Sequence, residues 1–447
     1  MLKIPYGESN FESIRKDGFI YVDKTHFIEQ LESIRRLIHL RPRRFGKSLF
    51  ISMLEAYYDV AQADKFETLF KGLYIYDKPT PDKNNYYILR LNFSGIQNMR
   101  EGDIEEGFNG KVFDGCNSFI KKYQMKIDIN EKDRAATTLK KTLSGVKHLE
   151  CPHKVYILID EYDHFTNALL TGDGIDFLTI LQRGGFVRAF YEIIKEQSEI
   201  GTVERLFMTG VMSVTLDSMT SGFNVGTNIT TTEEFADMMG FTTEEVKEIL
   251  QQTYARPGKK DEVVNLTQDE QEVMYGTFKD NYNGYLFSEE SKIKVFNATL
   301  IMYYMKHYLR NNKAPKNLID DNLKQTGSTI ESIVTLKNKE QNYEVIEQIV
   351  EKGEVSGTLQ PYIWLEEKFD EEDLITLLFN IGMLTIKGHD METQFTIPNK
   401  IIKDIYYQYL QNLLQQTSAC TFELSKQKEA ITALGRYGEI DLLIVTT

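Results

Sequence analysis

The most constraining feature of this chain is a short apolar run that breaks into an arginine-rich turn and continues as a helix. Leu37-Ile38-His39-Leu40 predicts a strand, Arg41-Pro42-Arg43-Arg44-Phe45-Gly46-Lys47-Ser48 a turn, and Ser48 to Tyr58 a helix. A strand-to-helix turn leaves the first N–H groups of the helix unpaired and pointing outward, which suits an anion. Gly46 lets the backbone approach closely, Lys47 supplies a cation, and the Ser48 hydroxyl can ligate Mg²⁺. Glycine-lysine-serine loops of this kind carry a glycine where this chain has Arg41. Six Lys and Arg residues fall between Arg35 and Lys47, in a chain of formal net charge −14. A solvated charged turn accounts for Arg35 and Arg36, but not for Gly-Lys-Ser at this junction.

Further strands are predicted at Tyr86 to Phe93, Val155 to Ile159 and Leu206 to Val211, with a helix over Gly185 to Gln197. Strands with little polar alternation, separated by helices, predict an α/β fold: a parallel sheet with helices on both faces, over residues 1–235. The strand at Val155 ends in Asp160-Glu161. An acid at that tip, beside a phosphate loop, can hold Mg²⁺, and the next acid can prepare an attacking water. Two acids capping the following helix are the plain alternative. Asp163 is expected to orient a loop. Thr209 ends the next strand, at the edge where parallel sheets bind ligands, so its hydroxyl could sense a terminal phosphate or simply close the strand. Arg183, Arg188 and Arg205 are equal candidates for a charge-stabilising arginine.

A length of 447 residues suggests about three domains. Past Phe241 the pattern becomes mainly helical. Thr242-Thr243-Glu244-Glu245 marks a helix start, and Asn297 to Arg310 a later helix. From Asp370 the order is helix to Phe379, a break at Gly382, a strand to Ile386, a turn at Gly388, a strand from Gln394 to Ile397, and a helix to Leu414. That order predicts a winged-helix-like module. The acid excess argues against a general nucleic-acid coat. Three sparse cysteines indicate a reducing compartment. No segment approaches the roughly 18 apolar residues of a spanning helix, and no secretory leader is seen, so a cytoplasmic protein with no membrane partner is expected. His148, Cys151 and His153 lack a fourth ligand for zinc.

The chain resembles AAA-ATPase-like proteins that carry a C-terminal PD-(D/E)XK nuclease-superfamily domain. The resemblance rests on Gly7, Phe11, Ile14, Tyr21-Val22-Asp23-Lys24-Thr25 and Arg41 through Leu49, where the arginine-rich loop is itself a family trait. It continues through Asp160-Glu161-Tyr162-Asp163, Thr209-Gly210-Val211, Gly240-Phe241-Thr242, Asn283-Gly284-Tyr285, Gly382-Met383-Leu384-Thr385 and Ile397-Pro398-Asn399. It implies a P-loop ATPase core over 1–235, a helical lid over 236–312, a helical, winged-helix-like linker over 313–414 and a nuclease remnant over 415–447. It also implies a loop of Arg43, Arg44, Phe45, Gly46, Lys47, Ser48 and Leu49 around the phosphates of ATP, with Tyr21, Asp23 and Lys24 near its base. Lys47, Glu161 and Thr209 carry over as catalytic residues, and Ser48 and Asp160 as Mg²⁺ ligands. At the far end Asp441 stands as a first nuclease acid, with Glu429 as an accessory, and the sequence stops at Thr447 before a Glu-x-Lys strand. A truncated or decayed nuclease half, without activity of its own, is therefore expected. Ala298 stands where the family tends to have proline.

The expected activity is Mg²⁺-dependent binding and hydrolysis of ATP. The alternative is a nucleotide-gated switch with little turnover that acts through a protein partner. A nucleic-acid role needing a partner chain is a third outcome, and a homo-oligomer stays open.

Overall fold

The computed structural model describes residues 1–96, 101–164, 185–212, 226–259, 262–320, 326–335, 338–360, 363 and 369–417. Its centre is a five-stranded sheet made of β1 (Arg36–Leu40), β2 (Tyr86–Asn92), β3 (Lys154–Asp160), β4 (Val203–Gly210) and β5 (Thr227–Asn228). The strands lie in the order β2-β3-β4-β1-β5 and every pairing is parallel. Six consecutive buried residues in β3 show why the sequence lacks polar alternation there: both of its faces are covered.

Adjacent residues of one strand show the two covers. Tyr86 meets Tyr58 of the helix Lys47–Tyr58, whereas Tyr87 meets Phe119 and Tyr123 at the end of the helix Glu101–Lys122. The first face also carries Phe11–Lys16, and the second carries Ala135–His148 and Phe186–Glu199. Register brings the strand tips to one edge, with His39 opposite Thr209, Leu40 opposite Gly210, and Asn92 opposite Asp160.

After the sheet come the helices Thr243–Gln251, Gln268–Asn281 and Ala298–Asn311. The predicted start at Thr242 is a capping box, in which the Thr242 side chain and Glu245 each bond the other's backbone. A hairpin of β6 (Thr253–Ala255) and β7 (Val263–Asn265) interrupts the expected run of helices. Strands of three residues leave too short a pattern to register in the sequence.

The C-terminal elements include Thr326–Val334, Lys339–Lys352, Glu371–Asn380 and Lys400–Thr417, with an antiparallel sheet of β8 (Glu354–Gly357), β9 (Thr385–His389) and β10 (Thr393–Thr396). The expected order of helix, two strands and helix is present. Gly388 lies within β9 rather than at the turn, and β8 adds a third strand. The expected nuclease remnant, with Glu429 and Asp441, lies outside the described residues beyond Thr417.

These elements are pinned to the sheet edge. Gly284 takes φ 100°, and a Cβ there would fall 2.0 Å from the Pro398 carbonyl oxygen. Asn399 donates to the Asn283 carbonyl at 2.9 Å. A Cβ at Gly382 would come within 2.9 Å of the Pro42 ring. No helix among the described residues is long and apolar enough to cross a membrane.

Candidate functional site

The site forms where β1 turns into the helix Lys47–Tyr58. Gly46 caps that helix in the left-handed region, at φ 95°. A Cβ there would meet nothing within 4 Å, so the backbone angle, not space, calls for glycine. Gly46, Lys47, Ser48 and Leu49 line a cleft of about 620 Å³, together with Glu161 and Asp163. The first N–H groups of this helix have no intrahelical acceptor.

Lys47 is buried, and its Nζ donates to the carbonyls of Arg41 and Pro42, at 2.9 Å each. Burial pulls its pKa down to about 8, against the upward pull of Asp163, Asp160 and Glu161. Those couplings bring the loop lysine and the acids after Ile159 into one electrostatic neighbourhood.

Asp160 is fully buried at the tip of β3. The Ser48 hydroxyl lies alongside, and burial pushes the Asp160 pKa up. A buried carboxylate beside a hydroxyl is a hard-oxygen set that suits Mg²⁺, which takes its remaining ligands from phosphates and water. No cluster of three His, Cys, Asp or Glu that could hold a metal occurs among the described residues, which includes His148, Cys151 and His153.

Glu161 takes φ 52°, and its carboxylate pairs with His164 Nδ1 at 3.2 Å. That pairing holds its pKa below the usual range. Asp163 accepts the backbone N–H of Val211 at 3.0 Å and of Met212 at 2.7 Å. It thereby ties β3 to the segment after β4. The Thr209 hydroxyl donates to the His39 carbonyl at 2.7 Å, so it bridges β4 to β1, and Thr209 does not line the cleft.

The arginines of the loop divide the work. Arg41 is buried and donates to the carbonyls of Leu40, Thr230, Phe235 and Ala236, with its guanidinium 4.1 Å from the centre of the Phe287 ring. Burial lowers its pKa to about 9. Arg43 lines the cleft, and its charge acts on both Lys47 and Glu161. Arg44, at φ 76°, pairs with Asp320 at 3.5 Å, and Tyr6 also donates to Asp320. Phe45 is an anchor, edge-on to Tyr285 and Phe287 at 5.0 and 5.5 Å.

Of the three residues expected near the base, Tyr21 and Lys24 line the cleft. The Lys24 ammonium is engaged by Glu245 and by the Asp237 carbonyl. Asp23 is turned to structure, accepting from Thr25 and from the Tyr74 backbone. Arg205 bonds Asp82, Tyr86 and Glu32 near the start of β4, at the far edge of the sheet. Arg188 pairs with Glu192 on its own helix at 2.8 Å, and Arg183 lies outside the described residues.

Residues 5–220, which hold this loop and both acids, match the family model described as a predicted AAA-ATPase. The sheet, loop and match together define an α/β fold consistent with a P-loop NTPase domain, and the family suggests an ATPase-like, nucleotide-binding function. Over 304 residues the chain is 28% identical to an uncharacterized protein in the vnfD 5′ region of Azotobacter chroococcum mcd 1. The match takes in 67% of this chain and 51% of that protein, so the chain spans about half of this relative's length.

Proposed function

We propose that the cleft binds ATP with Mg²⁺ and hydrolyses it. The observation that carries this is the pairing of opposite capacities across one cleft. On one side stand Lys47 and the unpaired N–H groups of its helix. On the other, Glu161 and Asp163 line the cleft, while Asp160, which does not itself line it, is buried at the tip of β3 beside the Ser48 hydroxyl. Lys47 exchanges the carbonyls of Arg41 and Pro42 for β- and γ-phosphate oxygens. Ser48 and Asp160 hold Mg²⁺, which when bound supplies charge neutralisation of the phosphates. Glu161 accepts a proton from the water whose oxygen bonds the γ-phosphorus, as the bond from phosphorus to the β–γ bridging oxygen breaks and ADP leaves. Tyr21 and the apolar side chains of Met238 and Met239 offer the walls for the base. The division into core, lid and linker at 235 and 312 belongs to the same proposal, with the lid residues 238–241 closing over the cleft.

A second outcome is a nucleotide-gated switch with little turnover, in which Glu161 prepares no water. A nucleic-acid or protein partner, and assembly of several copies, rest on the resemblance alone. The deciding measurement is ATP turnover in wild type and in Glu161→Gln. Loss of a general base lowers the rate by about 10²–10⁴-fold, and that drop is expected here with ATP binding retained. Equal, near-zero rates in both proteins would make the cleft a switch.

A further inference from the structure

We propose that His164 is a positioning residue that fixes which oxygen of Glu161 is presented to water. The proposal rests on the ATPase assignment of the cleft, but its first test does not need turnover. Glu161 is the second acid after β3, and its left-handed backbone, φ 52°, leaves its side chain 40% exposed at the cleft. His164, three residues on, places Nδ1 3.2 Å from Glu161 Oε2. The other ring nitrogen, Nε2, lies 3.2 Å from the backbone N of Gly95.

A backbone N–H can only donate, so Nε2 is the acceptor. The neutral ring therefore carries its proton on Nδ1 and donates it to Glu161. The geometry dictates the tautomer. Gly95, at φ 74°, sits in the turn just past β2, so the bridge ties the acid at the tip of β3 to the neighbouring strand. With Oε2 held, Oε1 is left to accept a proton.

Nitrogen-15 NMR of the nucleotide-free chain, with the signal assigned by its loss in His164→Asn, reads the ring directly. The expected result is the Nδ1–H tautomer, and an Nε2–H ring would overturn the bridge. In turnover assays His164→Ala should lose about 10–100-fold in kcat, the usual scale for an orienting partner, with KM for ATP unchanged. His164→Asn, whose side-chain amide can occupy the place of Nδ1–H, should recover most of that loss. In a Glu161→Gln background His164→Ala should add nothing. Unchanged kcat in His164→Ala, or a change confined to KM, would refute the positioning role. If wild type shows no turnover the ATPase assignment fails, and the tautomer still decides for or against the bridge.

Discussion

The beginning of the 41–48 loop and the tip of β3 both bury a charge, and they treat it in opposite ways. Arg41 is enclosed by four carbonyls and an aromatic face, with Nε alone left without an acceptor among the described residues. Asp160 is enclosed just as fully, and the donor beside it is the neutral Ser48 hydroxyl. A buried ion whose hydrogen bonds are made is part of the scaffold. A buried carboxylate that meets a neutral hydroxyl rather than a cation is a cost that a folded chain keeps only where something else will meet it.

The largest effect should come from the scaffold side. Arg41→Met leaves the carbonyls of Thr230, Phe235 and Ala236 buried without their donor, and should destabilise the chain by about 3–5 kcal/mol. The midpoint of urea unfolding measures it, and a loss under about 1 kcal/mol would erase the contrast between the two sites.

Asp160→Asn should act the other way, raising stability at neutral pH by about 1–3 kcal/mol while Mg²⁺-dependent nucleotide binding disappears. The sign follows from linkage. A carboxyl whose folded pKa is raised adds stability below its unfolded value, and that stability is lost as pH rises through the folded value. The advantage of the Asn variant should therefore grow with pH across the acid range. A variant less stable than wild type at pH 7 would show that Asp160 is as well matched as Arg41.

The smallest effect concerns Lys47, whose pKa of about 8 lies below the ordinary 10.5. From this group alone, folding stability rises with pH between those values and falls as pH drops through about 8. A bound phosphate favours the ammonium, so nucleotide binding above pH 8 should take up as much as one proton. Affinity should fall by at most about tenfold per pH unit there. Calorimetry in two buffers of different ionisation enthalpy reads the uptake, and none at pH 9 would place the lysine outside the phosphate site.

Much of this was legible in the sequence because it is local. The strand, the turn and the helix around Gly46 are contiguous, and the run from Val155 to Asp160 carries its own burial signal. What stayed hidden depends on partners distant in the chain. Arg41 looked like a departure from a glycine pattern, and its acceptors at Thr230 and Phe235 come 189 and 194 residues later. Asp23 sat in a motif beside Lys24, yet its carboxylate is used by the backbone of Tyr74, 51 residues on. His164 stood next to the acidic motif, but its link to Gly95 exists only once β2 and β3 are paired. Thr209 was expected either to sense phosphate or to close its strand, and its donor proton goes to His39.

The contact of Pro42 with Gly382 joins the loop around Lys47 to the turn that precedes β9. With only a hydrogen atom's clearance at position 382, the proline ring and that turn behave as tooth and socket. Any displacement of the loop bears directly on the far half of the polypeptide, with no slack to absorb the push.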